Sequence, residues 1–251
     1  MKVRVKFSKE GAVKFIGHLD VMRYFQKAIR RAGIDVAYSE GFSPHMIMSF
    51  AAPLGVGLTS EGEYVDVELR TPIATKKALE QLNAVMVEGM EILDFRRVPD
   101  GKASKAMSLV AAADYAVRFR KGCAPAGDWQ SAISGFFARK SIPVIKETKK
   151  GETQLDIRPM IYEMKVNAGT VFMKLAAGSA ANLKPELVME AYLSWKGYEA
   201  KPFALEVNRL EIYGDLGKDG RHRFVPLGEL GETVTEEEVL SLETAGEGQT
   251  A

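Results

Sequence analysis

Cysteine is almost missing: Cys123 is the single thiol in 251 residues. One thiol cannot close a disulfide within the chain, and it cannot supply the several thiolates that iron–sulfur clusters and cysteine-rich zinc sites take. Long apolar runs are missing too. No window approaches eighteen uninterrupted apolar residues, and the start Met1-Lys2-Val3-Arg4-Val5-Lys6-Phe7 alternates charge with Val and Phe instead of presenting the apolar block of a signal peptide. Neither a membrane span nor secretion is expected, and a cytoplasmic location is. The sequence holds no Cys-x3-Cys-x2-Cys, no paired Cys/His metal spacing, no Gly-x-Ser-x-Gly and no Gly-x4-Gly-Lys-Ser/Thr. Any chemistry performed here therefore rests on acid–base groups in small number. What remains, with 46% hydrophobic and 27% charged residues, is an ordinary globular composition of a length that suits one or two domains.

The net charge of +1 hides segregation. Residues 1–50 carry nine Lys/Arg against four Asp/Glu, and residues 51–95 carry three against eight. Residues 96–223 carry twenty-two against fourteen, and the last 28 residues carry seven acids and no base. Basic blocks of this kind suit an anionic partner, and they equally describe scattered solvated lysines.

Periodicity sets out two similar halves. Val3, Val5 and Phe7 alternate with Lys2, Arg4 and Lys6 as in a half-buried strand. Leu19, Met22, Phe25, Ile29 and Ala32 recur at helical spacing, with Arg23, Lys27, Arg30 and Arg31 on the other face and Gly33 as the stop. Extended runs follow at 36–38 and 46–50, then a strand over 64–70, a helix over 75–88 and a strand over 90–97. Within 64–70, alternation turns Asp66 and Glu68 toward solvent. The second half reads as a strand at 115–120, a helix over 128–139 capped by Asp128, and strands at 142–148 and 153–166 around the turn Lys149-Lys150-Gly151. A strand at 171–176, a helix over 185–195 and a strand over 203–213 complete it. Pro159 confines its strand to an edge or bulge. The expected fold class is α+β: two tandem ferredoxin-like (βαββαβ) domains with antiparallel sheets, the second with one extra strand. The expected boundaries are 1–98, a linker at 99–108 around Pro99-Asp100-Gly101-Lys102, 109–215, and 216–251 as an extension ending in a partly disordered acidic tail.

Few residues can carry chemistry. His18 opens the first helix beside Lys14, Asp20 and Arg23, at an end where unbonded N–H groups and the macrodipole favour anions. A helix-start histidine bonded to its own backbone is an equally good reading. The loop Gly41-Phe42-Ser43-Pro44-His45 joins an aromatic ring, a hydroxyl and an imidazole, a set suited to base stacking and phosphate contact in single-stranded RNA, although a plain turn needs only its Gly and Pro. Gly178 to Pro185 sets small residues, Asn182 and Lys184 before a helix and matches no nucleotide signature. His222 suits a solvated loop, and Cys123 has no thiolate-stabilising neighbours. No metal site is expected.

The runs Lys14 to Arg23, Ala28 to Gly33, Gly41 to His45 and Ser60 to Val67, with Asp156-Ile157-Arg158-Pro159, Asn182-Leu183-Lys184-Pro185-Glu186 and Arg209 to Gly214, resemble the bacterial radical-SAM-associated proteins of unknown function. These are encoded beside, or fused to, a radical SAM protein. Members often carry Pro-Lys after the loop histidine, where Met46-Ile47 stands here. The resemblance implies a radical SAM enzyme as partner, with the iron–sulfur cluster and S-adenosylmethionine in that partner and no cofactor in this chain. At the level of fold alone, the tandem plan also resembles the CRISPR RNA-processing endonucleases. The leading expectation is a non-catalytic RNA-binding accessory protein for tRNA or rRNA modification. Its contacts to RNA or partner would be Lys14, His18, Asp20, Arg23, Arg30, Phe42, Ser43 and His45 in the first half, and Arg158, Asn182, Lys184 and Arg209 in the second. Two alternatives stand beside it: a metal-independent endoribonuclease using His18 or His45, and a docking module for the partner that touches no RNA.

Overall fold

The computed structural model describes residues 1–101, 104–148 and 151–247. Lys102 of the expected linker, Lys149 and Lys150 of the expected turn, and the last four residues of the tail lie outside the described residues. The chain is mixed α+β and divides into two compact units, Met1–Val110 together with Ile212–Ala251, and Ala111–Glu211.

The first unit opens with β1 (Lys2–Lys9), a 3-10 turn (Gly11–Phe15) and α1 (His18–Arg31), followed by β2 (Met48–Phe50), β3 (Thr59–Glu68), α2 (Thr75–Asn83), β4 (Ile92–Arg97) and α3 (Ala106–Leu109). β1 lies between β3 and β4, antiparallel to both, and β2 pairs with β3. The alternation in β1 dictates this: Val3, Val5 and Phe7 point into one core with their register partners Val67, Val65 and Phe95. α1 covers that face with Val21, Phe25, Ala28 and Ile29, and α2 does so with Ala78 and Leu82. The Phe25 ring meets Phe7 at 4.6 Å and Phe50 at 5.7 Å, separations at which tilted and edge-on aromatic pairs are favourable. Leu19, expected in the buried stripe, is 60% exposed. The stripe runs 21, 25, 28, 29, 32, and in a helix that begins at His18 this leaves Leu19 on the outer side. α2 stops at Asn83, short of the expected 88. The Asn83 amide bonds both the N–H and the C=O of Ile92 at 2.8 and 2.9 Å, drawing the helix end onto β4.

The second unit holds β5 (Val110–Phe119), α4 (Ile133–Phe137), β6 (Pro143–Thr148), β7 (Gly151–Asp156), a 3-10 turn (Arg158–Met160), β8 (Ile161–Asn167), β9 (Thr170–Ala176), α5 (Pro185–Trp195) and most of β10 (Leu205–Asp215). β9 lies between β5 and β8, antiparallel to both, while β6 and β7 form a separate hairpin. The long strand expected over 153–166 is therefore two strands. Pro159 has no N–H for a ladder, so the chain takes a 3-10 turn there and changes partner. Regular helix covers only Ile133–Phe137 of the expected 128–139, yet Asp128 Oδ1 accepts the N–H groups of Gln130 and Ser131. Those bonds to its charged form hold the Asp128 carboxyl below its ordinary pKa. α5 spans the expected residues, with Pro185 at its first turn and Gly197 just past its end at φ +75°. Its Tyr192 is fully buried, packs edge-on against Phe136 and donates its hydroxyl to the Trp129 carbonyl.

β10 carries the chain back into the first unit, where β11 (Phe224–Pro226) pairs with it, and a 3-10 turn (Leu227–Leu230) and α6 (Glu236–Glu247) follow. This is where an acidic tail was expected. Instead Leu227 and Val234 are buried, and Glu232 exchanges both backbone bonds with Arg97 of β4 at 2.8 Å. The segment thereby bonds to an edge strand that would otherwise present unpaired N–H and C=O groups. Gly231 permits the approach, since a Cβ there would stand 2.7 Å from the Arg97 carbonyl oxygen. Thr75 at the start of α2 completes the clasp, its N–H and hydroxyl oxygen both bonded to the backbone of Val234.

This C-terminal segment also covers the second face of the first sheet. Arg4 and Asp66 are register partners across β1 and β3, and both are buried. The Arg4 guanidinium meets both oxygens of Asp66 at 2.8 and 3.2 Å and donates to the carbonyls of Leu227 and Ser104. Asp66 also accepts the Ala106 N–H at 2.7 Å. The expectation that Asp66 lies on a solvent face is corrected: alternation assigns it the right face, and that face is covered. Residues 104–106, expected as linker, supply part of the cover, with Ala106 buried in the first turn of α3.

Candidate functional site

Residues 37–47 form a narrow loop that ends on β3. Ile47 N–H bonds the Ala37 carbonyl, Ser39 N–H bonds the His45 carbonyl, and Ala37 and Ile47 are tied on both sides to Glu68. Gly41 takes φ +105°, a conformation that side-chain-bearing residues avoid, so the tip can turn over Glu40 to Pro44. The turn leaves Phe42 fully exposed. Ser39 Oγ accepts the His45 N–H at 3.1 Å and shares a 2.8 Å hydrogen bond with His45 Nδ1, which fixes the imidazole against the loop stem and leaves Nε2 for an incoming group.

His45 stands on the wall of an open cleft of about 680 Å³ in the first unit, lined also by Lys2, Ser39, Met46 to Ser49, Asp66 to Glu68, Asp100 and Lys105. That volume suits a nucleobase or a small polar ligand. At its floor the charge of Asp66 is answered by Arg4, and Lys2 Nζ reaches within 3.7 Å of Asp66 while donating to Ser104. Lys2, Lys105, Glu68 and Asp100 all line it, so the cleft offers donors and acceptors of both signs beside an imidazole.

The cleft does not include His18. That ring begins α1, is half-buried, and packs edge-on against Phe50 at 5.0 Å, part of the Phe7/Phe25/Phe50 cluster. Two paths measure its separation from His45. The loop stem lies beside the far end of α1, where Arg30 Nε reaches the Tyr38 hydroxyl at 3.5 Å, and twelve helical residues span about 18 Å. The extended run from His45 to Phe50 covers about 16 Å. The two histidines thus sit at opposite ends of β2. Arg30, Phe42, Ser43 and His45 share the loop end; Lys14, Asp20 and Arg23 stay with His18. There Lys14 Nζ lies over the Phe15 ring at 5.2 Å, and Asp20 and Arg23 pair at 3.3 Å.

In the second unit, Asn182 and Lys184 are exposed ahead of α5. Arg158 and Arg209, expected as contact residues, are engaged or buried within their own unit. Arg158 donates to the carbonyls of Arg139 and Ile161 and lies 4.3 Å from the Phe137 ring, so its guanidinium holds its own unit together. Arg209 is 4% exposed. The neighbouring Asp156 is held below its ordinary pKa by N–H bonds from Ile142 and Arg158. His222, expected in a solvated loop, stacks on Phe224 and bonds Asp215 at 2.6 Å. Burial works against the charged Asp215, yet the bonds from His222, Arg223 and Gly217 prevail and lower its pKa. Among the described residues no group of three or more His, Cys, Asp or Glu could hold a metal ion, and no helix is long and apolar enough to cross a membrane.

Sequence reasoning passed over Lys2, Ser39, Ser49, Asp66 and Lys105. The one available signal was the symmetry of Lys2-Val3-Arg4 and Val65-Asp66-Val67, each a charge flanking buried valines.

With this geometry in place, residues 2–185 match the family described as "Uncharacterized protein conserved in bacteria (DUF2344)", and the chain belongs to that family. No curated protein matches the chain. Among solved structures, a chain of the "Crystal Structure of a Cbf5-Nop10-Gar1 Complex" is similar over 84% of this chain, with 10% sequence identity and a TM-score of 0.45. The chain spans 48% of that neighbour's length.

Proposed function

We propose that this member of an uncharacterised bacterial family is a non-catalytic RNA-binding accessory subunit that presents a tRNA or rRNA segment to a radical SAM enzyme. One observation carries the RNA reading: Phe42 is fully exposed at the tip of a glycine-turned loop whose stem residues Ser39 and His45 line a cleft together with Lys2 and Lys105. An aromatic ring held out in water costs solvation unless something stacks on it, and a base has a π-face for that purpose. The scaffold we assign is two ferredoxin-like domains. Support comes from the neighbour order β4-β1-β3, with β2 on β3, and from the matching order β10-β5-β9-β8, in which the β6–β7 hairpin is an insertion. The radical SAM partner rests on the resemblance described above, and a lone Cys123 agrees with cluster chemistry housed in another polypeptide.

Filter binding of the purified chain with total bacterial RNA at 50 and 200 mM salt tests this. Binding at low salt should fall steeply at the higher concentration, and Phe42→Ala should weaken it about tenfold. Absence of binding at low salt overturns the reading.

A second reading, a docking module that touches protein only, is favoured by a different feature. Phe15 and Leu19 are 65% and 60% exposed at the start of α1, and exposed Val56 is brought beside them by the Gly57 N–H bond to Lys14. The nuclease reading, in which His18 or His45 would act, has no such support: the cleft that holds His45 is not lined by His18, Lys14 or Arg23.

A further inference from the structure

The second unit carries an exposed aromatic ring of its own, in a backbone conformation that its side chain disfavours. Lys201-Pro202-Phe203-Ala204 is a tight turn closed by the Ala204 N–H on the Lys201 carbonyl at 3.3 Å. Proline suits its second position. The third takes φ +56°, where glycine or asparagine is the inexpensive choice, and the residue there is Phe203, 93% exposed. A bulky side chain in the left-handed region persists only when its surroundings hold it. The holder is Arg120: its N–H donates to the Ala204 carbonyl at 2.8 Å and its Nε donates to the Phe203 carbonyl at 2.9 Å. Glu206 in turn pairs with Arg120 at 3.5 Å. A hydrophobic side chain that packs on nothing does not account for this investment in position.

The surroundings identify what the ring meets. The Arg120–Ala204 bond sets exposed Lys121 across from Phe203, exposed Lys201 begins the turn, and Arg118, exposed although its Nε donates to Thr170 Oγ1 at 2.7 Å, stands two residues before Arg120 on β5. An isolated aromatic among three cations is the chemistry of single-stranded nucleic acid recognition, in which the ring takes a base face and the cations take phosphates.

We propose that the Phe203 turn is a second RNA contact, at which an unpaired nucleotide stacks on Phe203 and its flanking phosphates meet Lys121, Lys201 and Arg118. This rests on the RNA-binding reading and assigns the second unit its own part in it. The two contacts would account for binding in which neither alone suffices.

The test uses the full chain and a labelled oligouridylate of about 12 nucleotides, with total bacterial tRNA in parallel. Phe203→Gly removes the ring and relieves the backbone, so its melting temperature should equal or exceed that of the parent while affinity falls about tenfold. Lys121→Gln and Lys201→Gln should each lower the slope of log affinity against log salt by about 1. If the parent binds, Phe42→Ala weakens it and Phe203→Gly does not, this inference fails and the site in the first unit stands. If Phe203→Gly weakens binding and Phe42→Ala does not, the first-unit site fails and this one stands. A Phe203→Gly variant that keeps full RNA affinity but loses a co-purifying protein assigns the turn to a protein and overturns the inference. A parent chain that binds neither probe overturns both.

Discussion

Two arginine–aspartate pairs in the first unit have opposite meanings, one bonded through both carboxylate oxygens and one through a single oxygen. Arg4 and Asp66 meet at 2.8 Å with side chains 1% and 4% exposed; Arg23 and Asp20 meet at 3.3 Å with side chains 67% and 64% exposed. In water the second pair gains little, because solvent screens it and two long side chains must be ordered to form it. The first pair has lost its hydration, so each partner needs the other together with the Leu227, Ser104 and Ala106 backbone groups that complete the network. The difference does not lie in the residues. It lies in whether distant chain segments cover them.

The largest expected effect breaks the buried pair. Asp66→Ala leaves a guanidinium buried without its counter-charge and should lower unfolding stability by about 3–5 kcal/mol in urea denaturation. Arg23→Ala should change it by no more than about 0.5 kcal/mol. The double change Arg4→Met with Asp66→Leu should recover only part of the loss, since it removes the stranded charge but leaves the Leu227 and Ser104 carbonyls and the Ala106 N–H without their side-chain partners. Equal losses for Asp66→Ala and Arg23→Ala would contradict the contrast.

Next in size is the cover itself. Leu227→Ala opens a cavity beneath the segment that caps Arg4, with an expected loss of about 2–5 kcal/mol. The loss should couple with Asp66→Ala, because Leu227 and Asp66 share Arg4 as partner, so the double variant should lose less than the sum. Strict additivity would show that the C-terminal segment packs independently of the ion pair.

This contrast also explains how far the sequence could be read. Helical spacing in 21–32, and Pro185 with Gly197 around α5, signal local structure because their causes lie within a few residues. Alternation in β1 and β3 assigns Val3, Val5, Val65 and Val67 to one face for the same reason. What covers the opposite face is decided by residues 104–106 and 227–230, more than thirty positions away in sequence, and no local pattern reports it. Lys2 and Asp66 were therefore invisible as parts of the cleft. Arg158 and Arg209 show the same limit from the other side: that carbonyls engage one guanidinium and burial encloses the other is decided by segments that no local pattern reports. The loop at 41–45 was legible because Gly41 and Pro44 announce a turn and Phe42 has no apolar neighbours in sequence to share a core.

The smallest effect concerns a group that stays in water. Thr235 and Glu238 form a reciprocal cap at the start of α6: Glu238 Oε2 accepts the Thr235 N–H at 2.8 Å, and Thr235 Oγ1 accepts the Glu238 N–H at 3.2 Å. The bond from the Thr235 N–H favours the charged carboxylate, so the Glu238 pKa falls below its ordinary 4.5 in the folded protein. A depressed carboxylate stabilises the fold above its unfolded pKa and loses that contribution as pH falls through the folded value. Stability of the parent should thus decline between about pH 5 and 3 more steeply than that of Glu238→Gln, which keeps a hydrogen-bonding side chain but has no proton to take up. The measurement is the difference between the two urea-unfolding profiles across that range. Parallel profiles would show that exposure leaves this cap as inconsequential as the Asp20–Arg23 pair, whereas a measurable divergence would show that an exposed carboxylate contributes when a backbone N–H, already fixed in place, is its partner.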